Sequence, residues 1–200
     1  MSNAQGYERS PSETLVLHTV TPDELPEGYV AGEYRTVAGL EVAEKELWLP
    51  GDHGAIESEV YEVPAALARN TIAYVERHYT GEDADSLFRN CHIGAAAMTG
   101  AGFLDWVDAV VLANGIIAQG RKVTDLEVGQ WGAIGRDIED YPSAYHSMVG
   151  LAPGLGLQTD DIGGPLSVVA HDSNRAHHKA LYGPKLELHA PISGNPTWQR

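Results

Sequence analysis

Hydrophobic and polar positions divide the chain into three stretches of different period. Across residues 14–50, short β-like runs (Leu15-Val16-Leu17, Tyr29-Val30-Ala31, residues 33–37 and residues 40–49) read as strands. The turn signals Pro22-Asp23, Pro26-Glu27-Gly28 and Pro50-Gly51-Asp52 separate them. From Pro64 the period lengthens. Ala68, Ile72, Val75 and Tyr79 recur at helical spacing, with Pro64 suited to a first turn and Gly81 to a stop. A second helix is expected to open at Asn90-Cys91, with Ile93, Ala96, Ala97 and Gly100 on one face, and a third to span 105–119. Beyond Arg121 the pattern returns to strands at 130–135, 146–151, 155–159, 166–170 and 185–189, punctuated by Pro-Gly and Gly-Pro pairs. Helices followed by an antiparallel β-meander predict an α+β fold. The organisation expected is a flexible tail (1–13), a β-rich extension (14–62), a core (63–190) and a C-terminal tail (191–200).

Composition narrows the function classes. With 200 residues, 43% of them apolar, the chain is long enough for a sizeable core in one domain. Its formal charge of −15, from 28 acidic against 13 basic residues with no Lys/Arg run, argues against nucleic acid or an anionic membrane as partner. No apolar stretch approaches the ~20 residues that a membrane-spanning helix needs. The opening Met1–Pro11 has neither a basic n-region nor an apolar h-region, which predicts a cytoplasmic protein unless a specialised route exports it.

One cysteine rules out an intramolecular disulfide and suits a reducing compartment. Cysteine is also among the most buried residue types, so inert packing is the competing role for Cys91. Its position argues for more. Asn90 is a good cap residue, and a thiol at a helix start meets free N–H groups and the positive end of the dipole, both of which stabilise a thiolate. The same N–H groups suit an oxyanion. Of nine histidines, His146 is the best placed as base. It follows the irregular polar stretch 136–145 and is expected as the first residue of a strand, from where it can point into a cleft. A hairpin turning at Pro153-Gly154 brings Gln158 alongside it. Read structurally, the same residues make Cys91 a core residue and His146 a surface histidine.

The order of these pieces is that of a known family. Asn90-Cys91-His92-Ile93-Gly94 is followed by Leu126-Glu127-Val128-Gly129-Gln130, then His146-Ser147-Met148-Val149-Gly150-Leu151, then Gln158 twelve residues after His146, then residues 163–169 (GGPLSVV). This section, 90–169, resembles the NlpC/P60 family of papain-like cysteine peptidases, in which Cys precedes His, unlike the permuted lecithin:retinol acyltransferase-like proteins. Asn90 stands where that family usually has Asp, His92-Ile93 where it has Ser-Gly, and Gln130 where it has Asp. The resemblance implies a papain-like core with a triad of Cys91, His146 and Gln158, no cofactor and no metal. It further implies hydrolysis of an amide bond in a peptide, protein or cell-wall-type peptide through a thioester. In that scheme His146 carries the proton, Gln158 holds its far ring nitrogen, and the Cys91 N–H helps bind the oxyanion. A non-catalytic binding or assembly protein on the same fold, or a thiol acyltransferase or deamidase, are the alternatives.

A second cluster has metal-ligand chemistry. His171, Asp172, His177 and His178 fall within eight residues, but their spacing is not a recognised ligand pattern, and Ser173 and Asn174 between them read as a polar loop. Asp160-Asp161 and the acidic residues of 82–85 read as solvated turns, and the Gly154-Leu155-Gly156 and Gly163-Gly164 pieces as hairpin turns.

Overall fold

The computed structural model describes residues 11–43, 45–49, 54–80, 86–138, 141–160 and 162–198. The expected turn at 50–52, the acidic residues 82–85, Asp161 and most of the 1–13 tail lie outside them. The fold is α+β, with four α-helices and a ten-stranded antiparallel sheet among the described residues.

β1 (Ser12–Val20) shows why the N-terminal region is sheet. Leu15, Leu17 and Thr19 are buried while Val16 and His18 alternate to the other face, the two-residue period of a half-buried strand. β1 pairs along its length with β4 (Glu57–Pro64) and on its other side with β2 (Tyr34–Val42). β2 in turn meets β9 (Leu166–Ala170) through its first residues and β3 (Lys45–Trp48) through its last. The sheet order is therefore β4-β1-β2-β9-β8-β7-β6-β10-β5, with β3 on β2, and the N-terminal strands continue the C-terminal meander as one sheet.

Three expectations for this region change. The run 40–49 is two strands, because the chain reverses after Val42, where Ala43 takes a φ of 25°. Residues 29–31 form no strand; Tyr29 closes a turn onto the Pro26 carbonyl between Gly28 and Gly32, both at positive φ. β4 was not anticipated, since only Tyr61 and Val63 of its residues are buried.

The helices follow the apolar period. α1 (Ala65–His78) begins directly after Pro64 and buries Leu67, Ala68, Thr71, Ile72, Tyr74 and Val75. α2 (Cys91–Met98) is buried over all eight residues. At Gly94 an added Cβ would stand 2.6 Å from Thr159 Oγ1, so only glycine permits this approach to the sheet. α3 (Trp106–Gln119) is capped by Asp105, whose Oδ1 accepts the Asp108 N–H at 2.9 Å. α4 (His171–Tyr182) occupies the segment expected to be a polar loop and ends at Gly183, φ 108°.

The remaining strands are β5 (Arg121–Val123), β6 (Trp131–Ile138), β7 (Tyr141–Ala152), β8 (Leu155–Thr159) and β10 (Glu187–Ala190). β7 begins five residues earlier than expected, so His146 lies within the strand rather than at its start. Alternation along β7 separates two cores. Val149 faces the main core with Leu157, Val168 and the apolar residues of α1, α2 and α3. Met148 faces the other side, in a smaller cluster with Leu126, Ile134, Leu186 and Leu188. α4 covers part of that second side, where the Asn174 amide nitrogen lies 3.7 Å from the Met148 sulfur. Residues 191–198 are held against the body: Asn195 accepts the Trp131 N–H at 2.8 Å and donates to the Gly129 carbonyl at 2.7 Å. Among the described residues, no helix is long and apolar enough to cross a membrane.

Candidate functional site

The Pro153-Gly154 turn, with Gly154 at φ 76°, closes β7 onto β8, and Val149 pairs with Leu157. That register sets His146 and Gln158 on one face as diagonal neighbours. Nε2 of His146 lies 2.6 Å from Oε1 of Gln158. The carbonyl oxygen can only accept, so Nε2 carries the proton and Nδ1 keeps its lone pair. Gln158 is itself oriented. Asn174 on α4 donates to the same Oε1 at 2.7 Å, and the Tyr29 hydroxyl donates to Asn174 Oδ1 at 2.5 Å.

The His146 ring lies against His178 of α4, with ring centroids 4.3 Å apart and planes tilted by 30°, and His178 Nδ1 is fixed 2.9 Å from the Asn174 carbonyl. Burial pushes His146 down to about 3, against the pull of the Gln158 hydrogen bond. His178 is lowered to about 3 by burial and by the neighbouring His146. Both imidazoles are therefore neutral through the physiological range.

Cys91 opens α2 behind Asn90, whose Oδ1 caps the His92 N–H at 2.9 Å and lies 3.8 Å from the Cys91 sulfur. The thiol is buried at 8% exposure. His92 points to the sheet, where its Nδ1 sits 2.7 Å from Ser147 Oγ, which also accepts the Trp131 indole N–H at 3.1 Å. Burial lowers His92 to about 4, with a further push from His178. Ser147 thus turns toward α2, and its neighbour His146 toward α4. Residues of both sides line one cleft of about 690 Å³, among them Cys91, His92, His146, His177 and His178.

No family model, curated protein or solved structure matches this chain.

The structure brings His146 and Gln158 into direct contact and places Cys91 on the wall of the same cleft. Five of the exposed large apolar side chains, Trp106, Tyr141, Ile162, Leu181 and Tyr182, also line it. Asp160 is the one carboxylate among the described lining residues, and no Lys or Arg is among them. Its Oδ2 accepts the Tyr34 hydroxyl at 2.5 Å.

The cluster 171–178 does not converge. His171 Nδ1 lies 2.6 Å from Asp125, Asp172 pairs with Arg175, and His177 Nδ1 approaches the Glu27 carbonyl. Asn174, His178 and the facing side of His92 belong to the site and were not anticipated. Asn174 and His178 are four apart on a helix whose buried residues are His171, Asn174 and His178. The spacing was present in the sequence, but on polar side chains.

Proposed function

We propose that the protein is a cysteine hydrolase with a papain-like core that cleaves an amide bond in a peptide or cell-wall-type peptide, using Cys91, His146 and Gln158. The observation that carries this reading is the His146–Gln158 hydrogen bond at 2.6 Å, which leaves Nδ1 as the free base in the cleft that Cys91 lines. Nδ1 takes the thiol proton as sulfur attacks the carbonyl carbon, and the Cys91 N–H donates to the oxyanion. The C–N bond breaks, and His146 returns its proton to the leaving amine. Water, deprotonated by His146, then cleaves the thioester to a carboxylate and restores the thiol. Since both imidazoles rest neutral, the proton moves during attack rather than beforehand.

The exposed Trp106, Tyr141, Ile162, Leu181 and Tyr182, with no Lys or Arg among the described lining residues, support a substrate with apolar or aromatic groups beside the scissile bond rather than a phosphate or polyanion. The second reading, a non-catalytic binding protein of the same fold, is favoured by the packing of His146 against His178, where the ring is buried.

The test is the rate of Cys91 modification at pH 7, by iodoacetamide and by an activated ester that leaves a thioester, followed by mass spectrometry. Base-assisted chemistry predicts a fall of about tenfold or more in His146→Ala, and a smaller one in Gln158→Ala. Equal rates in wild type and His146→Ala would favour the binding protein.

A further inference from the structure

We propose that His18, Glu41 and Glu46 form a binding site for a divalent transition-metal ion, with Zn²⁺ the ion it suits best. The three residues stand on β1, β2 and β3, on the sheet face away from the main core, and one ligand atom from each lies within 4.8 Å of the others. Donors bonded to one ion at about 2.0–2.2 Å stand roughly 3.3–3.6 Å apart in a tetrahedral site, so these side chains would close slightly on an ion, with positions left for water.

Three features of the surroundings fit a bound cation. First, His18 is held as a metal-ligating histidine is. Its Nδ1 lies 2.8 Å from Ser58 Oγ, and its Nε2 is buried with no hydrogen-bond partner. When Nδ1–H donates to Ser58 Oγ, Nε2 keeps the lone pair that a metal takes. Second, Glu41 and Glu46 are directly opposed across the β2–β3 ladder. Like charges at such a pair repel, and a divalent ion between them reverses the sign of the interaction. The neighbouring cation does not do this, because Lys45 alternates to the other face and pairs with Glu76 of α1. Third, one face of the ring is covered. Trp48 stacks on His18 with centroids 4.6 Å apart, and its indole N–H donates to one oxygen of Glu46, leaving the second oxygen for an ion. This wall requires Gly39, where a Cβ would meet the Trp48 ring at 2.8 Å.

One imidazole with two carboxylates is a borderline N/O donor set, which selects Zn²⁺ and its transition-metal neighbours over Ca²⁺. The ion would tie β3, which among the described residues pairs with β2 alone, to the body of the sheet through β1. This site is separate from the thiol cleft and does not depend on the hydrolase reading.

The experiment is a Zn²⁺ titration of the chelator-stripped full chain by calorimetry, with elemental analysis after dialysis. Wild type and Cys91→Ser should each bind Zn²⁺ at this site. Affinity should fall at least tenfold in His18→Ala and Glu41→Gln, and by roughly tenfold in Ser58→Ala, which removes the outer hydrogen bond. Glu46→Gln supplies a readout that does not require the imidazole change to fold. In chelator it should melt no lower than wild type, because the repulsion is relieved, and Zn²⁺ should no longer raise its melting temperature. Absence of Zn²⁺ binding, binding undiminished in His18→Ala and Glu41→Gln, or equal competition by Ca²⁺ would each overturn the proposal.

Discussion

Gln158 accepts the His146 ring N–H at 2.6 Å through the same oxygen that Asn174 holds from the other side at 2.7 Å. The partner of the imidazole is therefore neutral, and its hydrogen bond offsets only part of the burial that lowers His146 to about 3. Gln158→Glu changes this with one atom. A carboxylate there still accepts from His146 and Asn174, but it favours the imidazolium and so a thiolate–imidazolium pair. Gln158→Glu should carry the fall of Cys91 alkylation on acidification at least about one pH unit lower than in wild type. A rate–pH profile superimposable on wild type would mean that the ring does not act on the thiol.

The buried histidines also link stability to pH. His92 is lowered to about 4, and His146 and His178 to about 3, chiefly by burial. In the unfolded chain each titrates near 6.5. Between roughly pH 6.5 and pH 4 the unfolded state thus binds protons that the folded state refuses. Stability is fully present above the unfolded value and is lost as pH falls, at up to about 1.4 kcal/mol per pH unit for each histidine. Urea titrations at pH 7 and pH 5 should show His178→Gln losing about 1–2 kcal/mol less than wild type over that interval. Equal losses would mean that His178 is protonated in the folded protein.

Asn195 closes the C-terminal segment onto β6. Its side chain makes both the 2.8 Å bond from the Trp131 N–H and the 2.7 Å bond to the Gly129 carbonyl, and Trp198 packs against the main core beyond it. Asn195→Ala should cost about 1–3 kcal/mol in chemical denaturation, because two backbone groups lose their partner. Trp131 also connects this contact to the cleft, since its indole N–H donates to Ser147, which holds His92. A variant as stable as wild type would mean that water replaces the amide at no cost.

How much was legible depended on where the apolar side chains fell. α1, α2 and α3 were readable because Ala68, Ile72 and Val75, or Ile93 and Ala96, carry the helical period on the buried side. The β7–β8 hairpin was readable from Pro153-Gly154, and with it the meeting of His146 and Gln158. α4 was hidden, since its buried face is His171, Asn174 and His178 and hydropathy has no period there. With α4 went Asn174 and the ring packed against His146. The joining of β2 to β9 was equally silent: it pairs Tyr34 with Val169 across most of the chain, and no local pattern encodes that. The His18, Glu41 and Glu46 grouping depends on the turn after Val42, where a single strand had been expected.

Gly94 tests whether the seating of α2 sets the thiol's position. The helix lies so close to β8 that a Cβ at Gly94 would meet Thr159 Oγ1 at 2.6 Å and Tyr74 Oη at 3.1 Å. Those two hydroxyls are themselves bonded at 2.9 Å inside the core, so neither retreats without breaking that bond. Gly94→Ala gains helix propensity of up to about 1 kcal/mol, but overpacking a closed core costs about 1–3 kcal/mol. The clash outweighs the propensity, and the melting temperature should fall. Cys91 is one turn earlier on the same helix, so lifting α2 should also change its alkylation rate. Gly115 on α3 is the control, because a Cβ there meets nothing within 4 Å. Gly115→Ala should be neutral or stabilising and leave the thiol unchanged. If Gly94→Ala behaves like Gly115→Ala in both measurements, the close seating of α2 on β8 is wrong.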